Sequence, residues 1–282
     1  MRLCQLCVGK AKMRLTVLNS LMFANILAVE AKSRCDSSTI ISDGDTCYAS
    51  ILQLLPTQLY VGLDEVSIKL EQLQWYDTGE KPCFDSADQA LNAAGVMVVQ
   101  ATDCKHLYIA DGHHTVRTAW QYFEDPDYAI KVEVISSYCQ QPLQDEMFWS
   151  EMINQSYAFP YELSPQGDLK QISAKALSEQ VPDSILSMSD WWFRSLAYMV
   201  KSFGDFHPLK NQQGQSIVYG KFFEGQCLKD YGIKPQNITR ALVGYAGTLF
   251  DSTEWVRRVC QLEVAPERRS INDIIERDLS CG

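Results

Sequence analysis

The run Asp111-Gly112-His113-His114 places an acid, a glycine and two imidazoles between two predicted elements. Apolar residues 107–110 predict a buried strand before the run, and residues 115–120 predict the first turns of a helix after it. A helix that starts at such a turn leaves backbone N–H groups unpaired, and glycine lets an anion approach them closely. We therefore predict an anion site here, most simply a phosphate site.

Side chains in and after this run supply groups that phosphoryl chemistry needs. An imidazole titrates near neutral pH, so His113 or His114 is a candidate for proton transfer, and His114 is expected to face the ligand. Asp111 is a candidate to orient an imidazole, to activate a nucleophile or to hold a divalent metal such as Mg²⁺ or Mn²⁺. The predicted phosphate-binding residues are Gly112, Thr115 and Arg117.

Several of these residues also have a purely structural explanation. Asp111 is of a type common in turns and helix caps, and the two histidines could be surface hydrogen-bond donors without a catalytic role. Glu65, a further candidate catalytic carboxylate, is equally explained as an acid in the first turn of a helix. Asp190 and Arg194, four residues apart, predict an ion pair on one helix.

The elements that must position the site form a small mixed α/β unit. Residues 96–100 and 106–110 predict a hairpin that leads directly into the Asp-Gly-His-His turn. Residues 129–136 alternate as a further strand, and residues 51–55 predict another. Residues 64–75 begin with acids and predict a short helix.

Helical spacing replaces strand alternation in the second half. The predicted helices cover 143–155, 168–180, 189–203, 219–231, 235–250, 253–260 and 271–279. We expect an α+β fold with a domain boundary near residues 137–142. The expected divisions are a leader at 1–31, a loop or arm at 32–50, a mixed-sheet domain at 51–140 and a helical domain or extension at 141–282.

The N-terminal residues have the pattern of an export signal. Arg14 precedes an apolar stretch at 15–28 that is too short and too polar to span a bilayer comfortably, and Val29-Glu30-Ala31 suits a signal peptidase. The alternative is an ordinary amphipathic helix. Removal of 1–31 leaves an even set of cysteines for an oxidising compartment to pair: Cys35, Cys47, Cys83, Cys104, Cys139, Cys227, Cys260 and Cys281.

Location and charge narrow the expected partners. We expect a periplasmic or secreted protein with no transmembrane segment after leader removal, or otherwise a cytoplasmic protein with buried thiols. The 282 residues are 46% hydrophobic, enough for one large core or two modest ones. The formal net charge of −10 argues against a broad basic surface for DNA. The expected partner is a phosphate-containing ligand, either a nucleotide or an oligonucleotide.

Two motifs in the predicted α/β unit resemble the ParB-like nuclease family. They are Leu-Pro-Thr-Gln-Leu-Tyr-Val-Gly at 55–62, followed by Glu65-Val66, and Ile-Ala-Asp-Gly-His-His at 109–114. The resemblance extends weakly to 191–196 and 219–224. It implies a ParB/sulfiredoxin-like domain over 51–140, with Thr57 and Gln58 lining the ligand pocket.

The matched positions differ from those of the relatives in charge. ParB proteins contact nucleotide phosphates through a Gly-Glu-Arg-Arg-x-Arg run, in which Gly112 matches the glycine and Arg117 the last arginine. His113, His114 and Thr115 replace Glu-Arg-Arg, which lowers the positive charge offered to a triphosphate. Sulfiredoxins carry a catalytic cysteine at the position of His113, so sulfinic-acid repair is not expected, while His114 matches their histidine.

Three functions stay open at this point. The first is a ParB-like nuclease or phosphodiesterase, which the resemblance favours. The second is a nucleotide-dependent phosphotransferase for a small molecule, because free-serine kinases share the fold. The third is a ligand-binding or interaction module without turnover. Export argues against the second because nucleoside triphosphates are scarce outside the cytoplasm, and the acidic composition argues against long DNA as the substrate of the first.

Overall fold

Short strands and medium-length helices alternate along the part of the chain that the structure describes. The structure is a computed structural model, which describes residues 33–35, 40–80, 84–203 and 219–230. The elements are β1 Thr46–Ser50, β2 Leu54–Leu55, β3 Tyr60–Val61, α1 Leu63–Asp77, α2 Ala87–Ala93, β4 Met97–Gln100, β5 Leu107–Asp111, α3 His113–Phe123, β6 Ala129–Ser137, α4 Asp145–Asn154, β7 Tyr161–Leu163, β8 Leu169–Gln171, α5 Ala174–Gln180, β9 Ser189–Asp190, α6 Trp192–Phe203 and α7 Gly220–Asp230.

A mixed five-stranded sheet in the order β1-β6-β4-β5-β2 is the frame of the fold. β6 pairs antiparallel with β1 and parallel with β4, whereas β5 pairs antiparallel with β4 and parallel with β2. The mixed sheet together with the helices confirms the predicted α+β class.

Both faces of this sheet are covered by helices. Because neighbouring residues of a strand point to opposite faces, Val98 and Ile109 pack with α1, α2 and α3, and Val99 packs on the other face. On that other face, Trp149 and Leu177 come from α4 and α5. The second half of the chain therefore completes the core of the first half.

The strands that lead to the site agree with the sequence patterns. β4 and β5 form the predicted hairpin, with Val98 opposite Ile109. β6 has the predicted alternation, since Val132 and Val134 are buried and Glu133 is exposed. α1 matches the helix predicted at 64–75. Around 51–55 only Leu54–Leu55 is extended, because Ser50 and Gln53 form a capping box around a short 3₁₀ turn.

Two other segments differ from the predicted elements. The last five residues of the expected arm at 32–50 form β1, whose residues Cys47 and Ala49 are buried. The helix predicted at 168–180 is wrong in its first part, where β8 pairs antiparallel with β7. Ser164 accepts backbone N–H bonds at the turn between these strands, and Ser173 then caps α5.

The remaining predicted helices are α4, α6 and α7, shorter than expected by one to three residues at an end. The predicted leader and the helices expected at 235–250, 253–260 and 271–279 lie outside the described residues. Among the described residues, no helix combines the length and the apolar character needed to cross a bilayer.

Segments from both sides of the expected domain boundary are joined closely. β3 pairs with β9, and α1 packs against α6. The first amides of α1 find acceptors in the second half, since Leu63 N–H donates to Asp190 Oδ1 at 2.8 Å and Glu65 N–H donates to Ser195 Oγ at 3.2 Å. Gly62 permits this approach, because a Cβ there would lie 2.4 Å from Ser195 Oγ.

Two disulfide bonds link neighbouring segments of the sheet. Cys35–Cys47 ties residues 33–35 to β1, and Cys104–Cys139 joins the β4–β5 turn to the residues after β6. Cys227 has no disulfide partner among the described residues, and Cys83, Cys260 and Cys281 lie outside them.

Candidate functional site

The candidate site begins where β5 ends and α3 starts. Gly112 links the two elements with a φ of +106°, in the region that favours glycine. A Cβ at this position would lie 3.1 to 3.3 Å from atoms of Val96, so the backbone angle favours glycine and the packing leaves little room for a side chain. The chain turns here without a side-chain cap on α3.

The start of α3 has the geometry of an anion site. The first helical backbone bond runs from Val116 N–H to Gly112 O, so the amides of residues 113–115 precede the helical ladder. Within the described ranges, these three amides have no hydrogen-bond acceptor. Asp111 is exposed beside them, and its Oδ1 accepts the Gly112 N–H at 2.8 Å. The helix dipole adds positive potential at the same point.

The His113 imidazole is buried below this surface and binds the backbone just before β3, at Thr57. Its Nε2 accepts the Thr57 N–H at 3.1 Å, while Thr57 Oγ1 donates to Ile109 O at 2.6 Å. Burial, assisted by the charge of Arg194, lowers the pKa of His113 to about 3. His113 is therefore a neutral acceptor at physiological pH, with its Nε2 already engaged.

The His114 imidazole binds the other end of that loop. Its Nε2 accepts the Gly62 N–H at 2.9 Å and lies 3.5 Å from Glu65 Oε2. Burial outweighs the opposing charge of Glu65 and holds the pKa of His114 well below its ordinary value. The two adjacent imidazoles thus bind opposite ends of the segment 57–62, which includes β3, and hold it against α3.

Glu65 is the centre of a buried charged cluster. Arg194 Nη1 lies 2.6 Å from Glu65 Oε2, and the Nζ atoms of Lys69 and Lys221 lie 3.3 and 3.9 Å from Oε1. Burial alone would raise the pKa of Glu65, but the surrounding cations, Arg194 above all, lower it below its ordinary value. We call Glu65, Lys69, Arg194 and Lys221 the Glu65 cluster.

The ion pair predicted between Asp190 and Arg194 is wrong. Asp190 lies in β9, before α6 begins, and caps α1 through the Leu63 amide. Arg194 instead reaches Glu65, 129 residues away along the chain. Spacing within one helix could not reveal this partner, because the pair joins two different helices.

The other predicted ligand-binding residues lie at different places around α3. Gln58 is buried and donates through Nε2 to Tyr60 O at 2.7 Å. Arg117 donates to Ile185 O at 2.9 Å, in the short 3₁₀ turn Ile185–Ser187. Thr115 is largely buried and lines a cavity between α1, α2 and α3.

Tyr219 is a site neighbour that sequence reasoning missed as a functional residue. Its hydroxyl lies 2.9 Å from Tyr157 O and 3.3 Å from Ala110 O, next to the end of β5. Burial, with the nearby charge of Asp111, raises the pKa of Tyr219 above its ordinary value. Its position at the start of the Tyr-Gly-Lys-Phe-Phe-Glu run was the available signal.

Comparison with known proteins agrees with this fold. A sequence model of the family described as "Putative ParB-like nuclease" matches residues 47–225. The chain is similar to the crystal structure of protein Atu1540 from Agrobacterium tumefaciens, with a TM-score of 0.54 and 23% identity over 76% of this chain and 94% of that chain. At that identity the likeness shows the shared fold alone. No curated protein matches the chain significantly. Because the family match covers well over half of its residues, the chain belongs to the ParB-like nuclease family.

Proposed function

We propose that this protein is a phosphodiesterase that binds the substrate phosphate at the start of α3. The observation that carries the proposal is the set of unpaired amides at residues 113–115, next to the half-buried Gly112 and the exposed Asp111. Such donors are fixed before the reaction, so they stabilise charge that develops on a phosphate without reorganisation. Membership of the ParB-like nuclease family supports the same reaction class.

Asp111 is the proposed catalytic carboxylate. It is exposed at the mouth of the turn, adjacent to the amides that would hold the phosphate. Among the described residues, no group of three or more His, Cys, Asp and Glu side chains is assembled for a metal. Mg²⁺ commonly uses one or two carboxylates together with substrate phosphate oxygens, so Asp111 fits a cation that is shared with the substrate. Such a cation would supply charge neutralisation and an activated water.

The two histidines take a positioning role in this proposal. Each Nε2 accepts a backbone N–H from the loop at 57–62, so neither nitrogen is available to a substrate while the loop is in place. The earlier prediction that His114 faces the ligand and transfers protons stays a prediction, and the same experiment tests it. Glu65, with three cations within 4 Å, stabilises the structure around the site in this proposal and takes no part in the reaction.

The proposal is tested by hydrolysis assays on the purified full chain. Bis(p-nitrophenyl) phosphate and short single-stranded oligonucleotides are incubated with Mg²⁺, Mn²⁺ or a chelator. We expect Asp111→Asn to lower kcat about a hundredfold, because a neutral amide would hold a divalent cation shared with the phosphate less tightly. The matched control is Asp183→Asn, at an exposed position outside the candidate site, and it should retain full activity. Equal rates for the two variants, or no turnover with any substrate and metal, would overturn the proposal.

Two further measurements distinguish the phosphodiesterase from the other two candidate functions. Consumption of ATP that depends on free serine would identify a phosphotransferase instead. Saturable binding of inorganic phosphate without any turnover would identify a binding module. If His114→Gln, which keeps an acceptor for the Gly62 N–H, abolishes turnover while the fold stays intact by circular dichroism, the imidazole has a catalytic role that the positioning assignment omits.

Export to an oxidising compartment is a second part of the proposal. The disulfides Cys35–Cys47 and Cys104–Cys139 support it, because such bonds persist outside the reducing cytoplasm. Intact mass analysis of the native chain is expected to show a start after Ala31 and four fewer hydrogens from these two bridges. A native chain that retains residues 1–31 and reacts fully with a thiol reagent would contradict export.

A further inference from the structure

A cavity between α1, α2 and α3 lies beside the proposed phosphate site, and the two share Thr115, whose side chain lines the cavity. Its volume is about 140 Å³, and it is partly open to solvent. Its walls are mainly apolar, with Leu73 from α1, Leu91 from α2 and the rings of Tyr76 and Phe84. These two rings meet edge to face, with centroids 5.1 Å apart.

The size of the cavity matches a single aromatic ring. An apolar cavity of about 150 Å³ is known to accept benzene. A six-membered ring would shield the apolar walls from solvent and gain dispersion contacts with the two leucines and with Tyr76.

One end of the cavity meets the Glu65 cluster. Lys69 lines the cavity, and its Nζ lies 3.3 Å from Glu65 Oε1. That carboxylate also has Arg194 Nη1 at 2.6 Å and Lys221 Nζ at 3.9 Å, so three cations share it. Lys69 is therefore not needed to neutralise Glu65, and a second carboxylate beside it is electrostatically favoured.

Hydrogen-bonding groups lie at the same end. Thr115, on the first turn of α3, lines the cavity, as does Gln72, one turn after Lys69 on α1. The Thr115 hydroxyl and the Gln72 amide are both groups that can donate a hydrogen bond to a carboxylate. Thr118 donates its hydroxyl to His114 O at 2.6 Å, so it has no hydroxyl hydrogen left for a ligand carboxylate. Glu65 lies beside His114, and Asp77 accepts the hydroxyl of Tyr122, so α1 and α3 run side by side in the same direction. Lys69 and Thr115 are therefore nearer one end of the cavity, and Leu73 and Tyr76 extend toward the other.

We propose that this cavity binds a small aromatic carboxylate with one ring. The ring packs among Leu73, Leu91 and Tyr76, and the carboxylate pairs with Lys69 and accepts a hydrogen bond from Thr115 or Gln72. This site does not depend on the phosphodiesterase proposal, and its test uses no turnover.

The probe is benzoate, and benzamide is its uncharged counterpart. Titration calorimetry on the full chain is expected to show one saturable benzoate site. Benzamide should bind about tenfold more weakly or worse, because it cannot form the charge-assisted bond with Lys69. Equal affinities for the two compounds, or no benzoate binding at about 10 mM, a concentration that detects even millimolar affinity, would overturn the proposal.

Two variants locate the binding. Lys69→Met keeps the apolar stem and should weaken benzoate about tenfold while leaving benzamide binding unchanged. Ala94→Phe, at an exposed position on the cavity rim, should abolish binding of both compounds. The matched control Lys175→Met removes a lysine that is 67% exposed on α5 and should change neither affinity. Melting curves without ligand confirm that each variant is folded, and benzoate affinity unaffected by both cavity variants would refute this location.

Discussion

Glu65 shows how one carboxylate can connect three helices. It belongs to α1, its closest cation Arg194 comes from α6, and Lys221 comes from α7. The glutamate side chain is only 1% exposed, so its charge depends on these partners rather than on water. Removal of one partner therefore leaves an uncompensated charge in the interior.

We expect Glu65→Gln to lower the free energy of unfolding by about 3–5 kcal/mol, because Arg194 then remains buried without its counter-ion. The double variant Glu65→Gln/Arg194→Met should recover part of that loss. Urea unfolding at neutral pH measures both effects. The control Glu162→Gln breaks the more exposed pair with Lys170 and should cost at most about 1 kcal/mol. Similar losses for the two single variants would contradict the large contribution to stability that we assign to the Glu65 cluster.

The buried imidazoles predict a loss of stability in mild acid. The lowered pKa of His113 means that the unfolded chain binds a proton below about pH 6.5 that the folded chain does not bind until about pH 3. Stability is therefore full above about pH 6.5 and falls as the pH decreases through this window. His114 contributes in the same direction.

Replacement of His113 by Gln should reduce this pH dependence by about 1.4 kcal/mol per pH unit, the value for one proton. Unfolding free energies measured between about pH 4 and 6, where the unfolded imidazole is mostly protonated and the folded one is not, check the change. A slope that is identical in the wild type and the variant would show that the imidazole is not a buried neutral acceptor.

At the scale of elements, the turn from β5 to α3 holds the candidate site in place. Gly112 meets two demands there, a positive φ and close contact with Val96. Gly95 meets only the first demand, since its φ is +72° and nothing lies within 4 Å of a Cβ built on it. A comparison of substitutions at the two glycines therefore distinguishes the effect of the backbone angle from the effect of packing.

We expect Gly112→Ala to destabilise the protein by about 1–3 kcal/mol more than Gly95→Ala, because only the first adds a steric conflict to the left-handed backbone. Thermal unfolding of the two variants measures the difference. The same substitution should weaken phosphate binding, since it shifts the amides at the start of α3. Equal stability of the two variants would indicate that Val96 gives way without cost.

Sequence patterns were sufficient where the determinants are local. The β4–β5 hairpin, β6 and α1 follow from alternation, turn residues and a first-turn acid. β8 was missed because Leu169 and its neighbours also satisfy a helical spacing, and the Ser-Pro-Gln-Gly turn before them was the better signal. The contacts of His113 and His114 with the loop at 57–62 and the pair of Glu65 with Arg194 cross 52 to 129 residues. No periodicity encodes such contacts, so the burial of both histidines could not be predicted.

For the whole molecule, the disulfides add covalent links to a sheet that helices already cover. Cys104–Cys139 closes a loop with a sequence separation of 35, whereas Cys35–Cys47 closes one with a separation of 12. Because loop-closure entropy rises with length, the longer bridge restricts the unfolded chain more.

We expect the double substitution Cys104→Ser/Cys139→Ser to cost about 4 kcal/mol and Cys35→Ser/Cys47→Ser about 3 kcal/mol. Guanidinium unfolding of the two variants beside the oxidised wild type measures these losses. A larger loss from the shorter bridge would mean that packing around β1, rather than chain entropy, determines the contribution of the bridges.

The capping of α1 by Asp190 and Ser195 bears on how the protein can be shortened for laboratory use. An excised fragment that stops near residue 140 would deprive α1 of both acceptors and would uncover the sheet face beneath Trp149. A minimal expression fragment should therefore extend through Asp230, so that the last described helix is retained along with the cation that it contributes.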